Sequence, residues 1–137
     1  MSKNSLGILV LDNFEAFGQK VQEHLSKIRN TDENFLINFT ASRFSNGEGK
    51  LVIEDTVREK NLFILSDVGN YDIEYLYHGK NHFMSPDEHF MDIKRAISAT
   101  CGHASKISVV MPLLYHSRQH RRKSRESLDC AIALQEL

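Results

Sequence analysis

The stretch that most constrains the fold is Lys106–Leu137, KISVVMPLLYHSRQHRRKSRESLDCAIALQEL. Ile107-Ser-Val-Val-Met111 is a short β-branched and apolar run closed by Pro112. That composition suits a strand buried on both faces of a parallel sheet. From Arg118 to Arg125, five of eight residues are cations. Ser127 then opens an apolar-periodic run through Leu128, Ala131, Ile132 and Gln135–Leu137, which predicts a helix. A strand therefore feeds a basic loop and a helix start. Ligands of open α/β sheets bind outside the carboxyl ends of the strands. Helix-start N–H groups attract anions, and Arg forks match phosphate. Two readings stand, a polyphosphate site or a solvated basic loop.

The rest of the chain supplies the other parts of an α/β domain. Leu6–Leu11 reads as the first strand, and Asp12 or Asn13 can cap a helix whose inner face is Phe14, Phe17, Val21, Leu25 and Ile28. Phe35–Thr40, Lys50–Glu54 and Asn61–Ser66 read as strands, with Asn46-Gly47 a turn between the first two. Residues 71–84 (YDIEYLYHGKNHFM) suit a hairpin around Gly79-Lys80-Asn81. Ser85-Pro-Asp-Glu88 is a capping box with Pro at the first helical position, and Phe90, Ile93 and Ile97 continue that helix inward toward Cys101-Gly102. Alternating strands and helices predict right-handed crossovers on a largely parallel sheet flanked by helices.

At 137 residues a single domain, 1–137, is expected. The net charge of −1 and the lack of aromatics interleaved in the basic loop argue against a nucleic-acid partner. The apolar run Leu6–Leu11 is too short to span a bilayer, so no membrane partner and a cytoplasmic setting are expected. Cys101 and Cys130 are read as buried or partly buried reduced thiols. His78 and His82 are four apart, with His89 nearby, but no Cys accompanies them and their Gly-containing stretch does not suggest the helix such a spacing needs, so no metal site is assigned to them. Phe44 is an aromatic in a polar turn. It either folds back on the core or offers a stacking face to a planar ring, with Asn46 and Glu48 as hydrogen-bonding neighbours.

Two motifs resemble a known family. Pro112-Leu-Leu-Tyr-His-Ser-Arg118-Gln119, with Ser124-Arg125-Glu126 after the basic loop, is similar to the Pro-Tyr-Tyr-x-Tyr-Ala-Arg-Gln-Asp…Ser-Arg-Glu-Pro stretch of ribose-phosphate pyrophosphokinases (PRPP synthetases). Arg43-Phe-Ser-Asn-Gly-Glu48, followed by Val52–Leu65, resembles the family's Arg-Phe-Ser-Asp/Asn-Gly-Glu and the Val-Arg-Gly-x-x-Val-Phe-Ile run after it. The resemblance implies a phosphoribosyltransferase type I-like fold. It implies transfer of the diphosphoryl group of ATP to ribose 5-phosphate, giving PRPP and AMP for nucleotide biosynthesis, with Mg²⁺ held mainly by the intact enzyme. By the same resemblance Phe44, Asn46 and Glu48 contact adenine across a subunit boundary of a homo-oligomer. Arg118 clamps the ATP phosphates, with Gln119 and His120 beside it. Thr56, Arg58, Ser124 and Arg125 match an anion-binding regulatory site.

The chain departs from the pattern in places. His120 stands where the family has Asp, and His116 where it has Tyr. Residues 71–84 look like an insertion relative to shorter members, for which contact with another subunit is the expected use. The C-terminal pattern stops without a helix stop signal, so the chain reads as the first of two similar halves. The family's metal-binding Asp-x-His segment, basic catalytic loop and ribose-5-phosphate loop would lie beyond residue 137. No catalytic residue and no metal ligand set is therefore assigned here, and the fragment is expected to be inactive alone. The alternative is a noncatalytic PRPP synthetase-associated subunit, which His120 favours and the intact Phe44–Glu48 motif disfavours.

Overall fold

The computed structural model describes residues 5–137. In chain order it comprises β1 (Leu6–Val10), α1 (Glu15–Arg29), β2 (Phe39–Arg43), β3 (Gly49–Ile53), β4 (Asn61–Leu65), β5 (Glu74–Tyr77), β6 (Lys80–Phe83), α2 (Pro86–Ala99), β7 (Lys106–Val110) and α3 (Asp129–Glu136). Short 3-10 turns occupy Asp12–Phe14 and Ser117–Gln119.

The expected parallel sheet is present, in the order β1–β4–β7. Its register aligns Leu6 with Asn61 and Asn61 with Lys106, and so on to Val10, Leu65 and Val110. The three carboxyl ends therefore finish level, and the loops at Leu11, Ser66 and Met111 leave from one edge. On one face, Phe90, Ile93 and Ala96 of α2 pack on Leu62 and Ile64 together with Leu51 and Val57. On the other face, Phe14, Val21 and Leu25 cover Ile8, Phe35 and Leu65. Among the described residues no helix is long and apolar enough to cross a membrane.

Five expectations need correction. The run Phe35–Thr40 is not one strand. Its first part touches the parallel sheet through a single bridge, in which the Ile8 N–H donates to Phe35 O and the Ile37 N–H to Ile8 O, both at 2.8 Å. The Asn38 N–H then donates to the Asp55 carboxylate at 2.6 Å. From there Phe39–Arg43 leaves to pair antiparallel with Gly49–Ile53.

The helix α1 is rotated from the predicted face, leaving Phe17 and Ile28 exposed. Gly18 sets that rotation, because a Cβ there would lie 2.4 Å from a Val10 methyl. Neither Asp12 nor Asn13 caps α1. Asn13 is instead buried, its Nδ2 donating to Ser66 Oγ at 3.0 Å and its Oδ1 accepting from the Asp67 N–H at 3.2 Å. The last helix starts at Asp129 and buries Cys130 and Ala133, while Ile132 is exposed, and Cys101 is exposed as well.

Candidate functional site

The turn that carries Phe44, Asn46 and Glu48 joins β2 to β3. The Phe44 N–H donates to Glu48 O at 2.8 Å and the Gly47 N–H to Phe44 O at 2.9 Å. Gly47 has φ +90°, a conformation that glycine adopts without strain. The Asn46 carbonyl accepts from the Glu48 N–H at 3.1 Å, which leaves its NH₂ donors free for a ligand. Phe44 does not fold back on the core: it is 51% exposed. Asn46 and Glu48 are exposed too.

Two supports fix this turn. Arg43 Nη2 lies 2.6 Å from Asp92 Oδ2, and Arg95 Nη1 lies 2.6 Å from Asp92 Oδ1, so one carboxylate of α2 holds two guanidinium groups. The second support is the hairpin β5–β6, which turns through His78 and Gly79, both at positive φ, as a tight two-residue hairpin requires. The His78 N–H donates to Ser45 O at 2.9 Å, and the Arg43 guanidinium sits 5.4 Å over the Tyr75 ring. Residues 71–84 thus brace the turn from within the same chain.

Glu88 holds the hairpin to α2. Tyr75 OH donates to Glu88 Oε1 at 2.6 Å, His82 Nε2 lies 3.1 Å from Oε2, and the Ser85 N–H donates to the same oxygen at 2.8 Å. Burial alone would raise the Glu88 carboxyl, but the hydrogen bonds from Tyr75, Ser85 and His82 outweigh it and hold the group down at about 2. A carboxyl depressed in the folded state adds stability above its ordinary value of 4.5 and loses it as the pH falls toward about 2. The roughly 3 kcal/mol such a shift would carry when dry falls to about 1–2 kcal/mol once solvent contact is allowed for. Glu88→Gln is accordingly expected to cost about that much at pH 7 and much less near pH 2.5. Urea midpoints at the two pH values check this, and an equal gap at both would refute it.

The second group of candidates follows β7. Tyr115 stacks on Phe90 with centroids 4.2 Å apart and 9° between planes. Its hydroxyl donates to Asp87 Oδ1 at 2.7 Å, and His116 Nε2 lies 3.0 Å from the same oxygen. Those bonds, Tyr115 first and then His116, hold the Asp87 carboxyl below its usual range. His116 adopts φ +51° and starts the Ser117–Gln119 turn, whose Gln119 N–H donates back to His116 O at 2.7 Å. Arg118, Gln119 and His120 therefore stand exposed on an anchored turn. The Arg118 and Gln119 side chains make no hydrogen bond among the described residues, whereas His120 Nδ1 lies 2.8 Å from Ser117 O.

The candidates lie on three separate loops, after β2, after β3 and after β7. No hydrogen bond, ion pair or ring contact among the described residues joins the Phe44 turn to the Arg118 turn. Thr56 and Arg58 lie in the β3–β4 loop, where the Arg58 N–H donates to Thr56 Oγ1 at 3.4 Å. Ser124 lies after the basic loop, and its hydroxyl donates to Glu126 at 3.2 Å. Arg125 is exposed beside it. Among the described residues no three His, Cys, Asp or Glu side chains converge as metal ligands. Of the three histidines weighed for a metal, His82 is spent on Glu88, His89 Nε2 lies 2.9 Å from Asn70 O, and His78 forms the hairpin turn.

Sequence reasoning missed the residues that position the two turns. Asp92 and Arg95 are readable as a helical i, i+3 pair, but Arg43 joins them from 49 residues away. Asp87 looked like an ordinary first-turn acid, and nothing in the sequence pairs it with Tyr115.

A family model described as the N-terminal domain of ribose phosphate pyrophosphokinase matches residues 6–137. Among solved structures, the chain is similar to phosphoribosylpyrophosphate synthetase from Mycobacterium smegmatis, with a TM-score of 0.70 and 17% identity. That likeness covers 96% of this chain and 38% of the other, and at this identity it speaks for the fold alone. No curated protein matches the chain in sequence.

Proposed function

The chain belongs to the family of N-terminal domains of ribose phosphate pyrophosphokinase, and on that premise we propose that it supplies the ATP-holding half of a ribose-phosphate diphosphokinase. The intact enzyme would move the β,γ-diphosphoryl group of ATP to ribose 5-phosphate, with Mg²⁺ held by residues outside this chain. Such transfers depend on alignment and charge neutralisation more than on covalent chemistry. The observation that carries the reading is the anchored Arg118, which makes no ion pair among the described residues. Its turn is fixed by Tyr115 and His116 on Asp87, beyond the carboxyl end of β7. A guanidinium held there without an acid partner suits a polyphosphate.

Phe44, Asn46 and Glu48 form the adenine-contacting turn. As the family resemblance implies, that turn would reach the nucleotide of a neighbouring copy in a homo-oligomer. Thr56 with Arg58, and Ser124 with Arg125, are the weaker proposal for a regulatory anion. Ser124 would first have to leave Glu126.

Calorimetric titration with ATP, on the longest natural protein that carries this chain, tests the reading. Arg118→Ala is expected to weaken binding by about tenfold or more, the loss of a charge-assisted phosphate contact. Phe44→Ala should cost about 1–3 kcal/mol if a base stacks on it. Mixing the two variants should restore part of the binding, since a shared site then includes some copies with neither defect. AMP release on adding ribose 5-phosphate and Mg²⁺ supports the synthetase. ATP binding without AMP release favours the noncatalytic, associated-subunit alternative, and indifference to both substitutions sinks the proposal.

A further inference from the structure

A cavity of about 230 Å³ lies between the inserted segment and the carboxyl edge of the parallel sheet. Ile73, Glu74, Tyr75 and Met84 wall it from the hairpin side, and Leu11, Asp12, Arg43 and His89 from the domain side. A cavity of roughly 150 Å³ admits a benzene ring, so this one has room for a ring with a small polar substituent. Leu11, Ile73, Met84 and the Tyr75 ring offer the apolar contact such a ring needs.

The polar lining is biased toward acceptors. Arg43 is its cation, and that guanidinium is already committed to Asp92 at 2.6 Å. Glu74 and Asp12 form no ion pair among the described residues. Partial burial, and after it Asp92 and Glu15, push the Asp12 carboxyl above the usual range. The third acceptor is His89, 1% exposed and on the cavity wall. Its Nε2 sits 2.9 Å from Asn70 O. A carbonyl can only accept, so in the neutral ring Nε2 carries the proton and Nδ1 keeps a lone pair. That nitrogen has no hydrogen-bond partner among the described residues.

We propose that this cavity is a small-molecule site for a planar organic cation of the amidine or guanidine class. The apolar walls would take its body, and Asp12, Glu74 and His89 would accept from its N–H donors. The site is separate from the Phe44 and Arg118 turns, none of whose candidate residues lines it. It exists because residues 71–84 close it, and an occupant would hold the hairpin against the domain and so stiffen the Phe44 turn.

Benzamidine is the probe, titrated into the protein and followed by the methyl signal of Met84 and the ring signals of Tyr75 and His89 in NMR spectra. Saturable shifts at all three in the millimolar range or below are expected. Benzoate, of the same shape and opposite charge, should give none. Ala41→Leu fills the cavity from β2 and should weaken the probe tenfold or more at an unchanged melting temperature. Glu74→Gln, on an exposed strand, should weaken it several-fold without unfolding risk. Absence of shifts at Met84 and His89 up to 10 mM probe, roughly the −3 kcal/mol floor of measurable affinity, overturns the proposal. Equal binding of benzoate, or equal binding by the Glu74→Gln protein, overturns it as well.

Discussion

Asp92→Ala is expected to destabilise the domain by about 3 kcal/mol and to loosen the Phe44 turn with it. Asp92 lies between Arg43 and Arg95, and the three side chains are 16%, 12% and 20% exposed. Removing the carboxylate leaves two guanidinium groups close together with little water and no acid. Breaking such a pair when fully buried costs about 3–5 kcal/mol, and partial solvent contact brings the expectation toward the lower end. At roughly 3–4 °C per kcal/mol for a chain of this size, the melting temperature should fall by about 10 °C.

The comparison that isolates the charge is Arg43→Leu with Asp92→Leu, which removes both partners. It should be less damaging than Asp92→Ala alone, because no orphaned charge remains on that arm. If Asp92→Ala costs less than about 1 kcal/mol in urea unfolding, the pairs are screened surface contacts. The turn would then be held by the hairpin alone.

The second large effect concerns the edge where the parallel strands end. Asn13→Ala is expected to cost about 2–4 kcal/mol. Asn13 is 5% exposed and Ser66 is fully buried. The Asn13 amide donates to Ser66 Oγ and accepts from that hydroxyl and from the Asp67 N–H. Alanine leaves the hydroxyl and the N–H without partners in a buried place, and each such orphan costs about 1–3 kcal/mol. Asn13→Ala combined with Ser66→Ala removes the hydroxyl as well and should recover part of the loss. Hydrogen exchange at Asp67 should accelerate in Asn13→Ala and stay fast in the double variant. A change below about 0.5 kcal/mol would mean that a water replaces the amide and that the bond network does not hold the β1 and β4 ends together.

Much of this architecture is readable in the residues. The apolar runs Leu6–Leu11, Asn61–Ser66 and Ile107–Met111 each contributed a strand of the parallel sheet, at Leu6–Val10, Asn61–Leu65 and Lys106–Val110. They could be read because unbroken apolar runs have no polar alternation to confuse them, but the last is not buried on both faces as expected: β7 is only partly covered and Val110 is exposed. The Ser85–Glu88 capping box appears as written, with the Ser85 hydroxyl accepting from the Glu88 N–H at 3.3 Å. The hairpin in residues 71–84 was legible, but its turn is His78-Gly79 rather than Gly79-Lys80-Asn81, and Lys80 and Asn81 belong to β6. The break at Asn38 was not, because it depends on Asp55, a neighbour only in space. Helix faces misled at Phe17 and Ile28, where apolar residues occupy a helix edge that the sheet does not reach.

By itself, then, the sequence determined most of the element types and the two motifs, since period, turn chemistry and motif spacing are local properties, while the strand order β1–β4–β7 came from the structure. Only the tertiary structure decided that the Arg43 turn rests on Asp92, that Glu88 serves both its helix cap and the hairpin, and that Arg118 stands on a turn tied to Asp87. It alone opened the cavity under the hairpin. These are long-range pairings of short polar side chains, and no periodicity along the chain encodes which acid will meet which base.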